Sequence, residues 1–141
     1  MPAVRINTSQ GSDYSGATNA TLAVTAAALA AGNFIVVTFR LYNPSNTIVV
    51  NSVTDTAGNT YYRATGKQGA TTNCRTEIWY AFNTLAHATN VVSVNLSGAA
   101  AYWGVTTAQY SGVRADINPL DVVSAGSQAT STSIVSSAFT T

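Results

Sequence analysis

The chain has 141 residues, only 8% of them charged, and a net charge of +1. An average soluble domain carries about 25% charged residues; here Thr, Ser, Ala and Asn stand where Lys and Glu are usual. The length suits one domain, 1–141, with a core of its own. Arg5, Arg40, Arg63, Lys67, Arg75 and Arg114 are scattered, which argues against a phosphate-tracking groove and so against nucleic acid.

Alternation begins at once. Residues 3–9 place Val4 and Ile6 on one face and Arg5 and Asn7 on the other, the period of a half-buried strand. "QGSDYSGATN" then reads as a polar loop. "ATLAVTA" alternates again with Leu22 and Val24 inward, and Gly32-Asn33 reads as a turn. "NFIVVTFRLY" is the strongest strand: Ile35, Val37, Phe39 and Leu41 mark one face, Phe34 and Val36 the other. Apolar residues on both faces predict a central strand, covered on both sides at its start. "NPSN" breaks it, and "TIVVNSVTD" is the next strand.

The loop "DTAGNT" then separates two strands, so a hairpin is expected. Asp55 is placed to close an Asx-turn, and Gly58 or Asn59 to take a positive φ. On the turn reading alone, Asp55→Asn is a mild change. "NTYYRATG" follows, then the polar loop "KQGATTNC". "RTEIWYAFN" sets Thr76, Ile78, Tyr80 and Phe82 against Arg75, Glu77, Trp79 and Ala81. "TNVVSVNLS" aligns Val92, Val94 and Leu96; "AAAYWGVTTAQY" sets Trp103, Val105 and Thr107 against Tyr102, Gly104 and Thr106. Short, evenly spaced strands with turn clusters between them predict an all-β sandwich.

Chemistry is sparse. Cys74 is the only cysteine, so no internal disulfide forms, and His87 is expected as an exposed residue of a separate loop, without Cys or His neighbours. Asp55 and the Asn59 amide are too few for a calcium loop of the D-x-D-x-D-G type. Asp116 and Asp121 flank the turn "INPL", and Glu77 lies mid-strand beside Arg75 and Trp79. Turn and surface roles are expected for these acids, not a facing catalytic pair. "YSGAT" and "YSGVR" are Ser-Gly turns without the strand-to-helix context of a nucleophile elbow. No enzyme, metal or cofactor is expected. No stretch reaches the roughly 18 apolar residues of a membrane span. The start "MPAVRINTSQ" lacks a leader's basic-then-apolar pattern. Either a leader has been removed and Met1 added, or assembly is cytoplasmic, as for virion proteins.

The aromatics are the candidate contact residues. Tyr61/Tyr62, Trp79/Tyr80 and Tyr102/Trp103 are consecutive pairs, so each gives one ring to each face of its strand. One set belongs to the core. The other is free for a subunit interface, cross-strand pairs or a sugar.

"GNFIVVTF", "VNSVTDTAGNTYYRA", "TEIWYAFN", "TNVVSVNLSGAAAYWGVTTAQYSGV" and "INPLDVVSAGS" occur in that order. Over roughly Thr21 to Thr141 the chain resembles a widespread, poorly characterised β-sandwich module. That module occurs in large secreted and surface proteins of environmental bacteria and in some phage-associated proteins. The resemblance implies a jelly-roll or Ig-like sandwich without an active site. In that module further strands follow the P-L-D segment, whereas this sequence ends at "TSTSIVSSAFTT". The comparison implies that closing strands are missing: the chain is a fragment, a shorter variant that closes differently, or one completed by exchange between subunits, with 1–9 (Val4, Ile6) or 130–141 (Ile134, Val135, Phe139) as the donated segment.

The function expected is a non-enzymatic, self-assembling subunit of an extracellular filament, cell-surface layer or virion coat, whose partner is itself. The alternative is a carbohydrate-binding or adhesive module of a larger surface protein.

Overall fold

The computed structural model describes residues 2–13, 16, 18–69 and 73–123. Eight strands and no helix occur among them: β1 (Val4–Asp13), β2 (Asn19–Ala26), β3 (Phe34–Tyr42), β4 (Val50–Asp55), β5 (Tyr62–Gln68), β6 (Cys74–Ala81), β7 (Asn90–Ala100) and β8 (Trp103–Ser111). Two antiparallel sheets pack face to face, one ordered β1-β8-β3-β6-β5 and the other β2-β7-β4. This is the β-sandwich that the alternation predicts.

The pairing is nested: first strand with eighth, second with seventh, third with sixth. A long hairpin doubled back on itself gives this order, which is that of a jelly roll. Immunoglobulin sheets contain several pairs of chain neighbours; here only β5 and β6 are paired neighbours.

The core follows from period 2. Leu22, Val24 and Ala26 of β2, Val53 of β4 and Val92, Val94 and Leu96 of β7 meet Ile35, Val37, Phe39 and Leu41 of β3 and Trp103 and Val105 of β8. Leu22, Val37, Val92 and Val94 have no exposed surface. Burying each such side chain stabilises by about 1.5–3 kcal/mol.

Four expectations change. β1 does not stop at Ser9 but runs to Asp13, and Val4 and Ile6 are half exposed instead of inward. Its register shifts between Arg5 and Asn7, which turns Asn7, Ser9 and Gly11 toward the second sheet. The polar inward face is satisfied locally. Asn7 and Gln109 lie 3.0 Å apart, and the Gln109 amide turns its nitrogen to the Ala28 carbonyl and its oxygen to the Asn33 amide and the Ala30 N–H. The β4–β5 loop is not a hairpin: its strands belong to different sheets, so it is a corner between layers. Glu77 is not a surface acid. It points between the sheets, 2% exposed, and is held by Arg75, Arg63 and Trp79. His87 is half buried, and its backbone bridges Leu29.

Register shifts occur in the four pairings that involve the edge strands β1, β2, β4 and β5. The central ladders β3–β6 and β3–β8 run without interruption. After β8, residues 112–123 form a strap whose Asn118, Leu120 and Val123 lie on the outer face of the five-stranded sheet. The Tyr80 hydroxyl donates to Asn118 at 2.8 Å. Leu120 and Val123 line a gap of about 310 Å³ with Phe34, Val36 and Ile78.

Candidate functional site

Two places gather polar groups in a way that invites a functional reading. The first is the β4–β5 corner. Gly58 N–H donates to the Asp55 carbonyl at 3.2 Å, and Gly58 takes φ 81°, the left-handed conformation that glycine adopts without steric cost. The Asp55 carboxylate accepts four hydrogen bonds. Asn59 N–H reaches Oδ1 at 2.9 Å; the Asn59 amide, Tyr61 hydroxyl and Asn90 amide reach Oδ2 at 2.7, 3.0 and 3.0 Å. Partial burial pushes the Asp55 carboxyl up. The donors, Asn59 foremost, outweigh it and hold the carboxyl below its usual range. Burial, and then the Asp55 charge, push the Tyr61 phenol up.

Asn59 also accepts from Leu85 N–H at 2.7 Å, and Asn90 accepts from Ala57 N–H at 3.3 Å. The corner is thus tied to the start of β7 and to the loop before it. A carboxylate already engaged by four donors has little left for a cation, and among the described residues no group of three His, Cys, Asp or Glu is placed to hold a metal. Asp55 is a structural pin.

The second place is the outer face of the five-stranded sheet. Directly opposed residues in antiparallel strands share a face, so the registers define rows across it. One row runs Ser12, Gly104, Arg40, Thr76, Lys67, and the next Gln10, Thr106, Thr38, Ile78, Thr65. A third runs Thr8, Ala108, Val36, Tyr80, Tyr62, and beyond it Tyr110 lies opposite both Arg5 and Phe34. The first two rows form a trough of about 760 Å³. Its outward side chains are hydroxyls, one amide, one isoleucine and two cations.

Aromatic rings bound the trough. At one end Tyr42 meets Tyr102 edge-to-face, centroids 6.0 Å apart, both rings exposed. At the other end Tyr110, Phe34, Tyr80 and Tyr62 make a continuous row with centroid spacings of 6.4, 5.7 and 5.8 Å, and Tyr62 stacks on Phe82 at 5.6 Å. The strap covers Tyr80 and leaves Tyr62 exposed.

Comparison of the chain with protein-family models, curated proteins and solved structures finds no match. The site is therefore read from its own geometry.

The six aromatic candidates divide between the faces. Tyr61 is in the core. Trp79 turns inward, and its indole N–H donates to Glu77 at 2.7 Å. Trp103 is buried in the core, and its Nε1 has no hydrogen-bond partner among the described residues. Tyr62 and Tyr80 face outward, and Tyr102 is exposed beside Tyr42. Val4 and Ile6 stand on edge strand β1, paired with β8 of the same chain. Ile134, Val135 and Phe139 lie outside the described residues. Tyr42, Arg40, Lys67 and the threonines of the trough were not among the candidates. For Arg40, Tyr42, Thr38, Thr76 and Thr106 the signal was period 2: each occupies the face opposite the core residues of its strand.

Proposed function

We propose that this chain is a non-enzymatic binding module that holds a glycan on the outer face of its five-stranded sheet. The observation that carries the reading is the trough itself. About 760 Å³ of concave surface presents hydroxyls, an amide, an isoleucine and two cations across five strands, and exposed tyrosines stand beyond both ends. Sugar rings offer hydroxyls to such groups and C–H faces to aromatic rings. A surface of convergent polar groups beside apolar ones is the usual make-up of a small-molecule site. Nothing in the trough resembles a nucleophile activated by a base.

The test is affinity electrophoresis through gels containing neutral and acidic polysaccharides in turn. Retardation by at least one, lost in Tyr42→Ala and Tyr102→Ala, supports the reading. Unretarded migration in all of them refutes it.

A second reading is a self-assembling subunit of an extracellular filament, cell-surface layer or virion coat. Val4, Ile6, Ile117, Leu120, Val122 and Val123 are all exposed, and a net charge of +1 offers little repulsion between copies. The shifts on every edge strand weigh against strand addition as the mode of assembly, because bulges blunt an edge. Sedimentation across a concentration series separates the readings: a monomer throughout removes the second.

A further inference from the structure

The charges on the sheet narrow the ligand. Arg40 of β3 and Lys67 of β5 both lie opposite Thr76 of β6, one on each side of it. Both are exposed and both line the trough. Two strand spacings separate their backbones, roughly 10 Å, a span comparable to a disaccharide. The carboxylates are placed elsewhere. Glu77 borders the trough, but its carboxylate is turned to the opposite side of the sheet, where two arginines hold it. Asp55 is in the corner, Asp13 ends β1 bonded to Asn19, and Asp116 and Asp121 belong to the strap. The outward side chains of the two trough rows therefore include two cations and no carboxylate.

Resting on the glycan reading, we infer that the trough takes an acidic glycan, with one carboxylate of a uronate residue seated over Thr76 between Arg40 and Lys67. The Thr76 hydroxyl faces the same space and donates to the same group. The neighbouring row of Gln10, Thr106 and Thr38 meets the ring hydroxyls. Charge-assisted hydrogen bonds are roughly twice as strong as neutral ones, so this pair sets the preference between ligands that otherwise present the same hydroxyls.

The experiment is calorimetric titration of the whole chain with three probes: an oligogalacturonate, a neutral oligosaccharide of equal length, and dextran sulfate. The same titrations are run on Arg40→Gln, Lys67→Gln and Thr76→Val. The expected result is binding of oligogalacturonate at least tenfold tighter than of the neutral probe. Each glutamine variant should lose about tenfold on the acidic probe alone, and Thr76→Val a smaller factor, with the thermal melts of Lys67→Gln and Thr76→Val unchanged. Equal affinity for acidic and neutral probes overturns the charge inference and leaves the glycan reading standing. Binding of dextran sulfate alone, falling away at 0.3 M salt, overturns it in favour of unspecific polyanion attraction. Binding of no probe overturns both.

Discussion

Removing the Asp55 carboxylate tests how the corner is held. In Asp55→Ala four donors lose their acceptor. The Asn59 donors lie on a half-buried loop where water takes over. Asn90 has no exposed surface and Tyr61 is 9% exposed, so neither is readily hydrated. Each buried group left unpaired costs about 1–3 kcal/mol, and the variant should lose about 3–5 kcal/mol in all. For a domain of this size, 1 kcal/mol corresponds to about 3–5 °C in Tm, so melting should fall by about 10–20 °C. Asp55→Asn discriminates further. An Asx-turn by itself accepts Asn without penalty, but here three donors converge on one oxygen, and an amide that keeps the Asn59 N–H bond turns its own NH2 toward them. The Asn variant should cost about 2–4 kcal/mol, close to the Ala variant. Circular-dichroism melts and urea titrations measure both. An Asn variant within 0.5 kcal/mol of the parent, on the scale of an ordinary surface change, would refute the pin.

The same carboxylate gives a pH dependence. Its folded pKa is lowered, so its contribution is fully present above the unfolded value of about 3.9 and is lost as pH falls through the folded one; Asp55→Asn should flatten urea stability below about pH 4, and an unchanged acid limb counts against this. Gly66→Ala should destabilise by about 1–3 kcal/mol, because an added Cβ would stand 2.5 Å from Glu77 Cγ and 2.6 Å from Arg63 Nη2; a melt equal to the parent's would mean that the buried ion network yields. Gly58→Val meets no atom within 4 Å, so its cost, about 1–3 kcal/mol, is backbone alone, and Gly58→Asn should recover most of it; equal losses in the two variants would place a steric clash there instead.

Much of the sandwich was legible because its core strands obey period 2 with large residues. Ile35 to Leu41, Val92 to Leu96 and Trp103 to Val105 each display one apolar face, and each is where alternation puts it. β1 was misread for the converse reason. Its inward face is Asn7, Ser9 and Gly11, satisfied by side-chain bonds that no local pattern announces. Glu77 departs from the surface role that a strand carboxylate usually has. The cue was Arg75 two residues earlier, which period 2 puts on the same face, although Arg63 enters only through register. The corner could not be told from a hairpin, because turn residues report the bend and not the sheet that the next strand joins. The trough was invisible for a similar reason: Arg40, Thr76 and Lys67 are neighbours only across three strands.

Nested pairing also dictates when structure can form. β1 pairs only with β8, β2 and β4 only with β7, and β3 only with β6 and β8. A nascent chain that has released its first four strands therefore holds no native ladder at all. The one local closure is the β5–β6 hairpin, where Gln68 lies opposite Arg75; every other ladder must close a long loop, which slows folding. The hairpin also brings out β6, the first partner that β3 meets, so the sequence "NFIVVTFRLY" is the first greasy segment to find cover. β1, edge-placed and polar on its inward side, waits longest and has the least to hide while it waits.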